Sequence, residues 1–272
     1  IKMNKAMSII SKIFNELGQS GKKAFIPFIT AGDGGLDNSE ALVFSLANNG
    51  ADIIELGVPF SDPMADGPMI CRSHERAVAD GVSLKNVLSL VEKFRQINTT
   101  TAVVLMGYLN PIEVFGYKDF ANSASKSGVD GVLVVDMPPE EAHDLKQNLD
   151  AVDIDFIFLV APTTTDERLE FLATIASGFV YFVSLKGVTG AGHLDIDLVN
   201  SNLERIRKYV ELPVGVGFGI KDAITAKAVA EHADAVIVGS SLVAFIEKYG
   251  ADKDKMLTSV GALSAEISAA IK

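Results

Sequence analysis

Ala24-Phe25-Ile26-Pro27-Phe28-Ile29-Thr30, followed by Asp37-Asn38-Ser39-Glu40-Ala41-Leu42-Val43 and then Ala51-Asp52-Ile53-Ile54-Glu55-Leu56, is the stretch from which the fold can be read. The first and third pieces are short apolar runs without polar alternation, the pattern of strands buried on both faces of a parallel sheet. The middle piece is a capping-box pattern leading into helically spaced apolar residues. One unit is therefore strand, helix, strand. Working outward, the same rhythm continues to the end of the chain. Apolar runs recur at 102–106, 131–135, 155–160, 179–183, 212–216 and 235–238, which with 24–30 and 51–56 makes eight. Between them, helical patterns cover 84–94, 117–125, 140–149, 198–209, 223–230 and 242–249. Thr164-Thr165-Asp166-Glu167 is a second capping pattern ahead of Leu169, Leu172 and Ile175, and 253–271 is a last amphipathic stretch.

Strands alternating with helices make either a closed barrel or a doubly wound open sheet. The chain has 272 residues, close to the roughly 250 of one closed α/β barrel. No linker or composition shift divides it. The expected class is α/β, a (β/α)₈ TIM barrel forming a single domain over 1–272. Residues 1–17 mix Lys with helically spaced apolar residues and read as an extra N-terminal helix, not a signal peptide.

Composition narrows the partners. Hydrophobic residues make up 48% of the chain, enough for a large core. Lys and Arg number 24 against 35 Asp and Glu, a net charge of −11. Nucleic acid and anionic membranes call for a basic stripe, so neither is expected. A phosphorylated ligand would have to be held by local backbone dipoles, because the global field repels it. Cys71 is the only cysteine, so no intramolecular disulfide can form, which fits a reducing cytoplasm. No Cys/His spacing suits a metal, and no apolar run reaches the roughly 20 residues of a membrane span.

In a barrel the active site is built on loops after the carboxyl ends of the strands. Glu55 is a carboxylate inside the second, otherwise apolar run. Pointing into the barrel mouth it would have a raised pKa and could work as acid and base; pointing out it is a solvated strand-end charge. After it, Gly57 to Pro68 form a long loop with three prolines that presents Asp62 and Asp66. Either Asp alone is also an ordinary turn former. Two late glycine turns, Val216-Gly217-Phe218-Gly219-Ile220 and Gly239-Ser240-Ser241, lead into helices, where free N–H groups and the helix dipole favour an anion. The segment 184–193 has three glycines and could act as a lid. His193 reads as a loop residue, Cys71 as a packed thiol, and Tyr108 and Tyr181 as either core aromatics or site residues.

Taken together, Pro-Phe-Ser-Asp-Pro and Ala-Asp-Gly-Pro within 55–68 resemble the signature of the tryptophan synthase alpha subunit family. The resemblance runs along nearly the whole chain. Pro27 to Asp33 look like the family's first strand and Tyr108-Leu109-Asn110-Pro111-Ile112 like its third loop. Asp136 to Glu140, Leu159 to Thr163, Gly187-Val188-Thr189-Gly190 and Gly217 to Ile220 follow it in order. Gly34 stands where the family usually has Pro, and Leu185-Lys186 differ from its more polar pair.

The resemblance implies retro-aldol cleavage of indole-3-glycerol phosphate to indole and glyceraldehyde 3-phosphate. Glu55 would be the acid–base residue, Asp66 the carboxylate facing the ring N–H, and Tyr181 an assistant near the glyceryl hydroxyl. Phe28, Met106, Tyr108 and Phe218 would shape the indole slot. Thr189, Gly190, Gly219, Gly239 and Ser240 would hold the phosphate and the closed lid. It also implies a beta subunit, in a complex of two alpha and two beta chains, met through Asp62, Pro63, Asn110 and Pro111. The beta partner carries pyridoxal phosphate, so no cofactor is expected in this chain. Three other readings stand beside this one: a stand-alone lyase releasing free indole, a Schiff-base aldolase using Lys186, and an inactive barrel that only activates a partner.

Overall fold

The structure is a computed structural model describing residues 7–184, 195–217 and 219–272. Eight parallel strands close into a barrel in sequence order, with the first paired to the last. They are β1 (Ala24–Thr30), β2 (Ile53–Gly57), β3 (Ala102–Gly107), β4 (Gly131–Val134), β5 (Asp155–Val160), β6 (Val180–Val183), β7 (Val214–Gly217) and β8 (Ala235–Val238). All eight expected runs are strands, so the open-sheet alternative is set aside. Around them lie α1 (Ile9–Gln19), α2 (Leu36–Asn48), α3 (Pro68–Ala79), α4 (Leu84–Arg95), α5 (Leu109–Phe115), α6 (Tyr117–Ser127), α7 (His143–Asp150), α8 (Asp166–Ile175), α9 (Ile196–Ile206), α10 (Ala223–Ala230), α11 (Ser240–Tyr249) and α12 (Lys253–Ile271).

Two helices were not foreseen. α3 follows β2 after the loop that carries Asp62 and Asp66, and α5 follows β3 almost at once; the sequence reading placed no helix at either. Pro68 stands at the first position of α3, where its missing N–H costs nothing. The capping pattern at Asp37 is also shifted: α2 starts at Leu36 from Gly35, and Asp37 lies in the first turn, facing the helix dipole. Thr165 does cap α8, accepting from the Arg168 N–H.

Strand side chains divide by parity. Ile54, Leu56, Val103, Leu105 and Phe182 pack outward against the helices. Ile26, Ile53, Val104, Leu133, Ile157, Tyr181 and Ile237 fill the interior. Both faces of each strand are thus buried, which is why the sequence shows runs instead of alternation. At the amino ends of the strands, α1 caps the interior with Ile10 and Phe14, the latter against Phe179 at a ring separation of 5.7 Å.

The same end carries a repeated device. Residues just before β2, β4, β6 and β8 reach back to a neighbouring strand: Asp52 accepts from Phe25 N–H at 2.8 Å, Asp130 from Val103 at 2.7 Å, Ser177 from Phe156 at 2.9 Å and Asp234 from Val214 at 2.9 Å. The three aspartates also pair with Lys272, Arg95 and Arg207. Structural polar groups thus gather at the amino end and leave the opposite mouth for chemistry. Phe14→Ala should lower unfolding free energy by roughly 3 kcal/mol, the usual cost of emptying an aromatic site, while leaving low-temperature activity near wild type; urea denaturation beside an activity assay checks both.

Candidate active site at the barrel mouth

Glu55 follows outward-facing Ile54 and shares the inward stripe of Ile53, so it points into the barrel. In register it lies between Phe28 on β1 and Val104 on β3. It is 1% exposed, and neither carboxyl oxygen has a hydrogen-bond partner among the described residues. Burial, reinforced by the neighbouring Asp66 charge, pushes its pKa up to about 8. At neutral pH the carboxyl is therefore mostly protonated, a proton donor aimed into an apolar chamber.

Asp66 comes from the loop between β2 and α3. The Tyr108 hydroxyl donates to Asp66 Oδ2 at 2.7 Å and itself accepts from the Ala65 N–H at 3.1 Å. Burial raises the Asp66 pKa and the Tyr108 hydrogen bond opposes that rise. The two carboxyls therefore differ in kind: one orphaned in the interior, the other solvated by a phenol at the rim. Such a difference in surroundings is what sets two neighbouring carboxyls apart in acidity. Tyr181, inward-facing on β6 and 6% exposed, has its phenol held well above the usual range by burial, then by the Glu55 and Asp66 charges.

Two glycines make the room. A Cβ at Gly217 would run into the Tyr181 hydroxyl, and one at Gly57 would lie 2.7 Å from the Phe28 ring. Phe28 packs with Met106, Met69, Ile70 and Val243, an apolar wall beside Glu55. Phe60 stacks on Tyr108 at a centroid separation of 5.1 Å. Beside Phe28, Gly239 precedes α11 and places no side-chain cap on it, so the first N–H groups of that helix remain for an anion. Ser240 and Gly219 are exposed there.

The structure thus gathers Glu55, Asp66, Tyr108, Tyr181, Phe28 and Met106 at one mouth, with Gly219, Gly239 and Ser240 on the loops after β7 and β8. Thr189, Gly190 and Phe218, like Lys186 and His193, lie outside the described residues. Asp62 and Asn110 are exposed and Pro63 and Pro111 half-buried, on the segments after β2 and β3. No cluster of His, Cys, Asp and Glu able to hold a metal occurs among the described residues, and no helix among them is long and apolar enough to cross a membrane.

Sequence reading missed two features. His74 on α3 is 2% exposed, and burial lowers its pKa to about 4. Its Nε2 lies 3.6 Å from Asp66 Oδ2, so at neutral pH this is a neutral imidazole beside a carboxylate and not an ion pair. The second is a bidentate pair between buried Asp33, after β1, and Arg76 on α3, at 2.6 and 3.0 Å; Arg76 also meets Glu247 on α11 at 2.8 Å. His74 and Arg76 both belong to the unforeseen α3, and Gly67-Pro68 was the signal that could have revealed it.

The raised Glu55 pKa makes a stability prediction. Unfolded, the group ionises above the ordinary 4.5; folded, it holds its proton to about 8. The native state thus binds the extra proton, and stability falls as pH rises through that window. Glu55→Gln, which cannot ionise, should match wild type near pH 4 and exceed it by pH 8, by on the order of a few kcal/mol; thermal unfolding across that range reads the widening gap.

The fold and mouth can now be set beside known proteins. The model of the tryptophan synthase alpha chain family matches residues 14–272. The tryptophan synthase alpha chain of Ruthia magnifica subsp. Calyptogena magnifica is 71% identical over 266 residues, spanning 98% of this chain and 100% of that one. The crystal structure of tryptophan synthase subunit alpha from Legionella pneumophila superposes with a TM-score of 0.91 at 43% identity, covering 98% of this chain and 99% of that one. A chain of the tryptophan synthase complex from Pyrococcus furiosus matches with a TM-score of 0.81 at 35% identity, over 90% of this chain and 98% of that one. The chain belongs to the tryptophan synthase alpha chain family.

Proposed function

We propose that this chain is the lyase of tryptophan synthase, cleaving indole-3-glycerol phosphate to indole and glyceraldehyde 3-phosphate, and acting as one barrel domain. The observation that carries the mechanism is the inward Glu55 carboxyl, without a hydrogen-bond partner among the described residues, beside a tyrosine-held Asp66. Glu55 in its acid form protonates carbon three of the indole ring. The resulting carboxylate takes the proton from the hydroxyl on the adjacent side-chain carbon as that carbon becomes an aldehyde. The carbon–carbon bond breaks, its electron pair returns to the ring, and Glu55 ends in the acid form in which it began. Asp66 accepts a hydrogen bond from the ring N–H and offsets positive charge developing there. Tyr181 assists near the reacting hydroxyl.

The remaining roles follow from position for Phe28, Met106, Tyr108, Gly219, Gly239 and Ser240, and from the family resemblance for Phe218, Thr189 and Gly190. Phe28, Met106 and Tyr108 line the side where an indole would sit, and Phe218 is proposed with them. Gly219, Gly239 and Ser240, with Thr189 and Gly190, hold the phosphate; uncapped helix donors suit it despite the net charge of −11.

The beta subunit is the partner in this reading, in an assembly of two alpha and two beta chains. It carries the pyridoxal phosphate, and this chain works without a cofactor of its own. Met64 is 85% exposed and Val114 80%, on the segments after β2 and β3. Large apolar side chains left in water beside Asp62, Pro63, Asn110 and Pro111 suit a patch covered by a partner. The cytoplasm is the proposed location. The stand-alone lyase has no observation favouring it, the Lys186 aldolase is not needed by this chemistry, and an inactive barrel leaves the orphaned Glu55 without a reason.

Indole release from indole-3-glycerol phosphate should rise at least tenfold when beta subunit is added; full turnover by the pure chain with no gain would favour the stand-alone lyase. Glu55→Gln should lose more than 10²-fold in kcat, the lower end expected for an acid–base group, while still binding a glycerol-phosphate inhibitor. Asp66→Asn should also be severely impaired, though less so, because its part is partly electrostatic; near-normal turnover in Glu55→Gln would refute the mechanism.

A further inference from the structure

The loop that presents Asp66 is pinned at both ends. Near its start, the Phe60 backbone N–H donates to His74 Nδ1 at 3.1 Å. Near its end, the Ala65 N–H donates to the Tyr108 hydroxyl at 3.1 Å. The Phe60 ring stacks on Tyr108, and the His74 ring meets Tyr108 edge-on with centroids 6.4 Å apart. Because Nδ1 accepts a hydrogen bond, the proton of the neutral imidazole is on Nε2. That nitrogen is the one 3.6 Å from Asp66 Oδ2.

We propose that His74 is a positioning residue for the lyase reaction: it clasps the Asp66 loop by accepting the Phe60 N–H at Nδ1 and turns its Nε2–H toward the Asp66 carboxylate. The proposal rests on the lyase reading and adds to it a residue that touches no substrate. A second N–H near Oδ2, complementing the Tyr108 hydroxyl, favours the ionised form that the indole N–H needs. Burial keeps the imidazole neutral, so it contributes a dipole instead of a competing cation. The other titratable groups bearing on Asp66 are Glu55 on β2, Tyr108 after β3, Tyr181 on β6 and Cys71 on α3. None of these is altered in the test.

Two substitutions separate the nitrogens. In His74→Asn the amide oxygen can replace Nδ1 and keep the Phe60 bond, while the donor facing Asp66 is lost. In His74→Gln the longer side chain can place an N–H near the old Nε2, while the Phe60 acceptor is lost. The probe is indole-3-glycerol phosphate with the complete alpha–beta complex, reading kcat and KM separately across pH. For His74→Asn we expect kcat to fall about tenfold, KM to stay within twofold, and the acid limb of kcat/KM to move up by about half a pH unit, as loss of a donor to a carboxylate dictates. For His74→Gln we expect a lower kcat with the acid limb unmoved. Limbs that move alike, or two that stay put, would overturn the proposal. Should His74→Asn not fold, His74→Gln decides alone: reduced kcat at an unmoved limb supports the clasp, and wild-type kcat overturns it. If wild type itself releases no indole, the lyase reading fails instead.

Discussion

Everything at the mouth depends on burying an ionisable carboxyl inside an apolar barrel. Glu55 occupies an interior position of β2 that its neighbours fill with apolar atoms, and both its oxygens lack partners among the described residues. Such burial opposes folding whenever the group must be neutralised. The barrel tolerates it because strands closed on themselves, packed inside and out, do not give way to a single misfit residue. The destabilisation is also the source of reactivity: a carboxyl held protonated to about pH 8 can donate at neutral pH, as an exposed glutamate cannot.

The surroundings serve that contrast. Glycines at 57 and 217 leave out side chains where Phe28 and Tyr181 must fit. Asp66 is kept apart from Glu55 in character by the Tyr108 hydroxyl, at a rim where burial is less complete. Helix α3 then joins three regions. Its His74 bears on the Asp66 loop, its Arg76 locks to Asp33 after β1, and the same Arg76 reaches Glu247 on α11, the helix whose opposite end offers N–H groups for phosphate. The amino-terminal end has a different task, with aspartates and cations tying strand to strand and α1 sealing the interior.

The barrel was legible because its strands are buried on both faces, so apolar runs such as 131–135 and 235–238 carry the signal undiluted. Glu55 and Asp66 were legible as types and positions, and as a family resemblance, but the direction of the Glu55 side chain was not: only the parity set by Ile53 and Ile54 decides it. Helix α3 is hard to read because its residues from Cys71 to Arg76 are mostly polar and give no apolar stripe after the proline-rich loop. Yet Pro68 opens that helix, and the polar residues are polar because they face Asp33, Asp66 and Glu247. Aspartates at 52, 130 and 234, each just ahead of a strand, were a further recurring signal, understood only once the strand N–H groups they meet are seen. The proposed lid and Phe218 sit outside the described residues, and their roles come from resemblance alone.

The central claim is the protonation state of Glu55, and infrared difference spectroscopy of wild type against Glu55→Gln measures it directly. The expected result is a protonated-carboxyl carbonyl band, absent from the variant, that persists at neutral pH and disappears with a midpoint near pH 8. A difference spectrum showing only ionised carboxylate at neutral pH would contradict the account, because the group would then have no proton to deliver.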